Sequence, residues 1–215
     1  MSIRTERSRR CGSTALPAWT LAVGLLLIGC TSVMPTPQAA VETTNPGGFS
    51  ITESARVGMG VRSEFDEATA AIEKKKFQRG IELLEEVVMT SPKLTAAHIN
   101  LAIAYQQIEK FDLAEAALLR ALEVNPKHPV AHNELGIVYR RTGRFEDARS
   151  SYEAALALHP EFHFARKNLA ILCDLFISDL GCALEHYELY HEADPADEAA
   201  AIWIADLKNR AGRED

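Results

Sequence analysis

The sequence predicts an all-α protein: four helical hairpins stacked into a superhelix and closed by a C-terminal capping helix, behind a short export segment. Three observations carry this. Pro92, Pro126, Pro160 and Pro195 recur at intervals of 34, 34 and 35 residues. Phe77, Phe111, Phe145 and Leu180 keep the same intervals. The one sustained apolar run, Leu21–Gly29, is too short to span a bilayer, because nine helical residues rise only about 14 Å.

Composition sets the limits. The 215 residues carry 23 Lys and Arg against 30 Asp and Glu, a formal charge of −7, with 47% hydrophobic and 25% charged residues. That mixture belongs to a folded globular chain and excludes a mainly disordered or polytopic membrane protein. The acidic balance argues against neutralising phosphates, so no nucleic-acid partner is expected.

Residues 1–10 hold Arg4, Arg7, Arg9 and Arg10 against Glu6 alone, and the apolar run that follows ends at Cys30. A basic segment before a short apolar one is the form of a secretory signal peptide. The ending Leu27-Ile28-Gly29-Cys30 resembles the lipobox of bacterial lipoproteins, which implies cleavage after Gly29 and acylation of Cys30. An ordinary cleaved signal and an uncleaved anchor are the alternatives. Arg9-Arg10 resembles the start of a twin-arginine signal, but Cys11-Gly12-Ser13 lacks that family's apolar pair. Thr31 after the Cys implies sorting to the periplasmic leaflet of the outer membrane. Loss of residues 1–29 removes four Arg and one Glu, taking the charge from −7 to −10. Anionic surfaces repel such a body, so the acyl chains must hold it.

Residues 30–60 contain Pro35, Pro37, Pro46, Gly47, Gly48, Gly58 and Gly60 without sustained periodicity, which predicts a flexible tether after the lipidated Cys. Local structure near Phe49 and Ile51 is the alternative.

The repeat begins at Val61, with units over 61–94, 95–128, 129–162 and 163–195. Each unit carries a Leu-small-x-x-Tyr element of varying fidelity. It reads Leu101-Ala102-x-x-Tyr105, Leu135-Gly136-x-x-Tyr139 and Leu169-Ala170-x-x-Cys173, and only Glu67-Ala68-x-x-Ala71 in the first unit. The small-x-x-x-large element follows as Gly80/Leu84, Ala114/Leu118, Ala148/Tyr152 and Ala183/Tyr187. Small residues on facing helices let the two axes approach, and the large ones fill the flanks. Over residues 61–195 the chain resembles the tetratricopeptide repeat (TPR) family, which implies a right-handed superhelix with the first helix of each hairpin on its concave side. Residues 196–215 read as a capping helix and tail, with Asp197 as N-cap and Ala200, Ile202, Trp203 and Leu207 turned inward. Trp203 reads as an anchor of that cap.

The fourth unit has one extra residue, and Cys173 replaces the usual Tyr. Cys173 and Cys182 are expected to face one hairpin interior, where they can form a disulfide in an oxidising compartment or stay as buried thiols.

Chemistry is sparse. His128/His132 and His159/His163 are four apart, but Pro129 and Pro160 fall between them, so neither pair shares a helical face. Both pairs read as solvated loop histidines, and no metal site is expected. Nucleophile-elbow, phosphate-loop and dinucleotide signatures are missing, so neither enzyme activity, a cofactor nor a small-molecule substrate is expected.

A groove is expected instead. Counted from the repeat, its exposed positions are Phe65, Thr69, Ile99, Ile103, Val130, Asn133, Ile137, Arg140, Phe164, Lys167 and Ile171. Ile103, Ile137 and Ile171 can equally buttress neighbouring hairpins. The second helices turn Glu82, Glu85, Glu115, Glu123, Glu146 and Glu153 outward. Apolar residues on one face and acids on the other suit a docked helix or extended peptide. The carboxylate grip of some chaperone-binding TPR domains is not matched: among the corresponding positions only Asn100 fits, and Glu134 repels a carboxylate. The resemblance to TPR lipoproteins implies a lipid-anchored adaptor facing the periplasm. It would bind a protein segment in the cell envelope, serving pilus or secretin assembly, a cell-wall hydrolase or an energised transport complex. The rival is a self-assembling structural protein of the envelope.

Overall fold

The computed structural model describes residues 39–44, 50–55 and 57–212. The expected signal peptide and the expected lipidation site, Cys30, lie outside the described residues. A two-stranded antiparallel hairpin, β1 (Ala39–Thr44) and β2 (Ser50–Ala55), comes first. Its register pairs Ala39 with Ala55 and Thr44 with Ser50. This departs from the flexible tether expected over residues 30–60. The physical reason is local: Val41, Thr43, Thr44, Ile51 and Thr52 are β-branched, and Asn45-Pro46-Gly47-Gly48 between them is turn chemistry.

Nine helices follow among the described residues, in stacked antiparallel pairs. They are α1 (Met59–Glu73) with α2 (Phe77–Thr90), α3 (Thr95–Gln107) with α4 (Phe111–Val124), and α5 (Pro129–Arg141) with α6 (Phe145–Leu158). Then come α7 (His163–Leu172), continued by a π-helical turn Cys173–Ile177, with α8 (Leu180–Ala193), and finally α9 (Glu198–Ala211). The first helices α1, α3, α5 and α7 contact one another in sequence and form one layer.

The 34-residue period is visible in the corners. Phe77, Phe111, Phe145 and Leu180 each begin a second helix. Two residues before each stands a left-handed backbone: Lys75 at φ 58°, Glu109 at 59°, Gly143 at 79° and Ser178 at 61°. Such a residue ends a helix by turning the chain sharply, and only Gly143 does so without a Cβ penalty.

A second period clasps each pair to the turn before it. The carbonyls of Pro92 and Pro126 meet Nε2 of His98 (3.0 Å) and His132 (2.9 Å), six residues on in each case. In the next unit the Pro160 carbonyl accepts from Arg166 Nη2 at 2.8 Å. Each carbonyl sits in a turn with no helical partner, so a side chain supplies one, worth about 1 kcal/mol.

The small positions are fully buried: Ala102, Ala170, Ala114, Ala148 and Ala183 are each 0% exposed. Gly136 is the tightest crossing, because a Cβ there would lie 2.5 Å from Tyr152 Cε1. Burial pushes the Tyr152 hydroxyl up to about 12, against the opposing pull of the Arg140 guanidinium.

In the fourth unit the extra residue is absorbed by the π turn. Such a turn takes one more residue than an α turn and leaves the register beyond it intact. Cys173 and Cys182 are joined there by a disulfide, Cα–Cα 5.9 Å. Asp179 caps α8 by accepting from the Cys182 N–H, and Asp197 caps α9 by accepting from the Ala199 N–H.

Two expectations are corrected. His128 is buried, not solvated, and its Nδ1 accepts from the Ala131 N–H as the N-cap of α5. A turn that precedes a packed helix is not automatically wet. On α9, Ala200 and Leu207 are buried and Trp203 packs 5.2 Å from the Tyr187 ring, but Ile202 is exposed. The inward stripe runs 200, 203–204, 207, and Ile204 takes the half-buried position that Ile202 misses by its angle.

Candidate functional site

A pocket of about 490 Å³ opens across α3, α5 and α7. From α3 it takes Ile103, Gln106 and Gln107; from α5, Asn133, Glu134, Ile137 and Arg141; from α7, Phe164, Lys167 and Asn168. Glu109 and Phe111, at the turn into α4, complete the wall.

Its floor is a chain of hydrogen bonds running helix to helix. Gln106 Nε2 donates to Glu134 Oε2 at 3.0 Å, and Asn133 Nδ2 donates to Glu134 Oε1 at 3.2 Å. Asn168 Nδ2 donates to Asn133 Oδ1 at 2.9 Å. Asn133 and Glu134 are buried, at 0% and 4% exposure, so these bonds satisfy groups that would be costly alone. The ladder therefore fixes the spacing of the three helices and leaves a polar strip between apolar walls of Ile103, Ile137 and Phe164. At one end Arg141 lies 5.1 Å above the Phe111 ring and reaches Glu109 at 3.4 Å.

Lys167 closes the other end. Its ammonium is 2.6 Å from Asp197 Oδ2, which also accepts from the Tyr190 hydroxyl at 2.7 Å. These two hydrogen bonds hold the Asp197 carboxyl below the usual carboxylate range. The ammonium also lies 5.2 Å over Trp203 and 4.9 Å over Tyr190. A residue of the pocket wall thus also anchors the last helix.

The eleven groove positions read from the sequence fall into two sets. Ile103, Asn133, Ile137, Phe164 and Lys167 come together in this pocket. Phe65, Ile99 and Val130, expected on an exposed face, are instead buried at 3%, 0% and 0%, and within the pocket wall Asn133 and Ile103 are also buried, at 0% and 8%. Thr69 bonds its own helix through the Phe65 carbonyl. Arg140 donates to the Tyr152 hydroxyl at 3.4 Å and sits over Phe176, and Ile171 packs into the core of the last hairpin. Gln106, Gln107, Glu109, Phe111, Glu134, Arg141 and Asn168 were not on that list. Following the face of Ile99 and Ile103 one turn further reaches Gln106 and Gln107.

Among the described residues, no group of three or more His, Cys, Asp and Glu could hold a metal ion, and no helix is long and apolar enough to cross a membrane. Stacked helical hairpins with a pocket across their first helices define a repeat scaffold. Residues 99–161 match the family model described as tetratricopeptide repeat, and the stacked antiparallel helix pairs form a TPR-like array. Proteins of this family are generally non-enzymatic scaffolds that bind protein or peptide partners.

Solved structures agree on the fold. A thermophilic TPR protein of Thermus thermophilus is 23% identical, covers 68% of this chain and 80% of its own, and superposes with a TM-score of 0.62. PilF of Pseudomonas aeruginosa gives 19% identity, 71% and 69% coverage, and 0.65. The first TPR domain of Spaghetti (RPAP3), bound to the HSP90 peptide SRMEEVD, gives 20%, 54% and 93%, and 0.52. No curated protein matches the chain.

Proposed function

We propose that this protein is a lipid-anchored adaptor facing the periplasm, which holds a protein segment in the pocket across α3, α5 and α7. The observation that carries the reading is that pocket itself: apolar walls with a rigid polar floor, built from three successive first helices. Such a surface suits a peptide, whose side chains meet Ile103, Ile137 and Phe164 while its backbone meets the amides of Gln107 and Asn168. The Leu27–Cys30 sequence supports the anchor, which keeps the adaptor and its partner at one membrane. Service to an envelope machine, in pilus or secretin assembly, cell-wall hydrolysis or energised transport, is part of the same reading.

Crosslinked capture from native envelopes tests the pocket. Ile137→Glu places a charge in its centre and is expected to lose a partner the parent retains; equal retention by both removes the pocket from consideration. Radiolabelled palmitate tests the anchor. The parent is expected to incorporate label and Cys30→Ala to incorporate none, and an unlabelled parent overturns the anchor.

A further inference from the structure

The corners that join first to second helices stand at matched repeat positions, so their charges compare directly. Residues 74–79 at the first corner carry four cations, Lys74, Lys75, Lys76 and Arg79, and no acid. The matched stretches 108–113, 142–147 and 177–182 each carry a net charge of −1. At those later corners the acids meet cations of the array itself: Glu109 takes Arg141, Asp147 takes Arg144 and Asp179 takes Arg149. At the first corner Arg79 is taken by Glu67 and Glu82. Lys74, Lys75 and Lys76 are exposed, and among the described residues none of the three is in an ion pair. Glu73, just before the run, offsets one charge.

The fold does not ask for this charge. Lys75 stands in the left-handed region at φ 58°, where glycine or asparagine costs least. Lys76 is the N-cap of α2 and makes no capping hydrogen bond, in a place where a cation opposes the helix dipole. Lys110 and Arg144 hold the same place on α4 and α6, but Asp112 in one and Glu146 and Asp147 in the other follow in the first turn. The first turn of α2 has no acid. Local rules broken without a gain inside the fold mark a surface that meets something else.

We infer that Lys74, Lys75 and Lys76 are a contact for an anionic lipid surface, so that an anchored array stands on its first corner. Three flexible, strongly hydrated point charges on an exposed corner suit a layer of headgroup phosphates rather than one oriented ligand. Each lysine within a Debye length of such a surface favours contact roughly fivefold. That is too little to recruit a chain of net charge −7, but enough to orient one already held there. The orienting role in the cell rests on the anchor reading; the lipid contact does not.

The test holds the full chain on vesicles through an amino-terminal polyhistidine segment and a nickel-chelating lipid. The vesicles are phosphatidylcholine alone or with about one third phosphatidylglycerol. Lysines are acetylated briefly and read by peptide-resolved mass spectrometry, with the exposed Lys93 and Lys127 as internal references. Lys74, Lys75 and Lys76 are expected to react roughly threefold or more slower on the anionic vesicles, while the references change less than about 1.5-fold. The difference is expected to vanish at about 1 M salt, where the Debye length falls to about 3 Å. Equal rates on the two vesicles, or equal slowing of all lysines, overturns the proposal. Protection on native envelopes without protection on the anionic vesicles assigns the corner to an acidic protein and overturns it too. The nickel lipid stands in for the acyl chains, so this outcome is independent of palmitate labelling.

Discussion

The third and fourth hairpins solve one packing problem in different ways. In the third, α5 meets α6 at Gly136 beneath the Tyr152 ring, whose hydroxyl accepts from Arg140, and no covalent link joins the two helices. In the fourth, Ala170 and Tyr187 hold the equivalent places, but Cys173 stands where Tyr139 stood. There the chain adds a π turn, a disulfide and ion pairs from Arg210 to Asp174 (2.7 Å) and from Lys167 to Asp197. An interior hairpin is packed from both sides and needs only complementary surfaces. The last one has a single helix beyond it, and covalent and charged links supplement the smaller contact.

Substitutions can break that contrast. Gly136→Leu has the largest expected effect, a loss of about 3 kcal/mol from overpacking against Tyr152, read as a lowered thermal midpoint. A variant melting like the parent would place Gly136 elsewhere than at the crossing. Replacing both Cys173 and Cys182 by Ala comes next, costing about 2–3 kcal/mol through the freed loop. If the contrast holds, proteolysis then begins at the π turn and α9 while α3–α6 stay resistant. Uniform cleavage along the array would show that the last unit has no special dependence on its links.

Asp197→Asn is the smallest, on the order of 0.5–1 kcal/mol, and it sharpens the comparison through pH. The folded carboxyl of Asp197 titrates below its unfolded value of about 3.9, so its stabilisation is fully present above that value. It is lost as pH falls through the folded value. The parent-minus-variant difference in denaturant midpoint should thus be constant from neutral to mildly acid pH and shrink only below about pH 4. A difference that already shrinks near pH 6 would implicate another group. His186 is one such group, since burial lowers its affinity for a proton.

Much of the array was legible because helical repeats write their corners in residue types. The phenylalanines at 77, 111 and 145 open second helices, and the prolines lie in the turns between hairpins. The inserted residue of the fourth unit was visible as a count of 35, but nothing in its chemistry says that a π turn absorbs it. Pro35, Pro46 and the glycines weigh towards an irregular tether in composition and hide the hairpin, whose strand signal is limited to the alternating Val41 and Thr43 and the β-branched pair Ile51 and Thr52. In the pocket, period located Ile103, Asn133, Ile137, Phe164 and Lys167. It could not separate them from Ile99 and Val130, because which positions border an opening depends on the side chains of the neighbouring hairpins, and a repeat describes only the helix itself.

The ammonium of Lys167 is shared between two places, the pocket wall and the start of α9. An acceptor group arriving in the pocket competes for the ammonium that now donates to Asp197 and to the Tyr190 hydroxyl. What the newcomer gains there, the final helix gives up, so its grip on the stack becomes a gauge of whether the pocket is full.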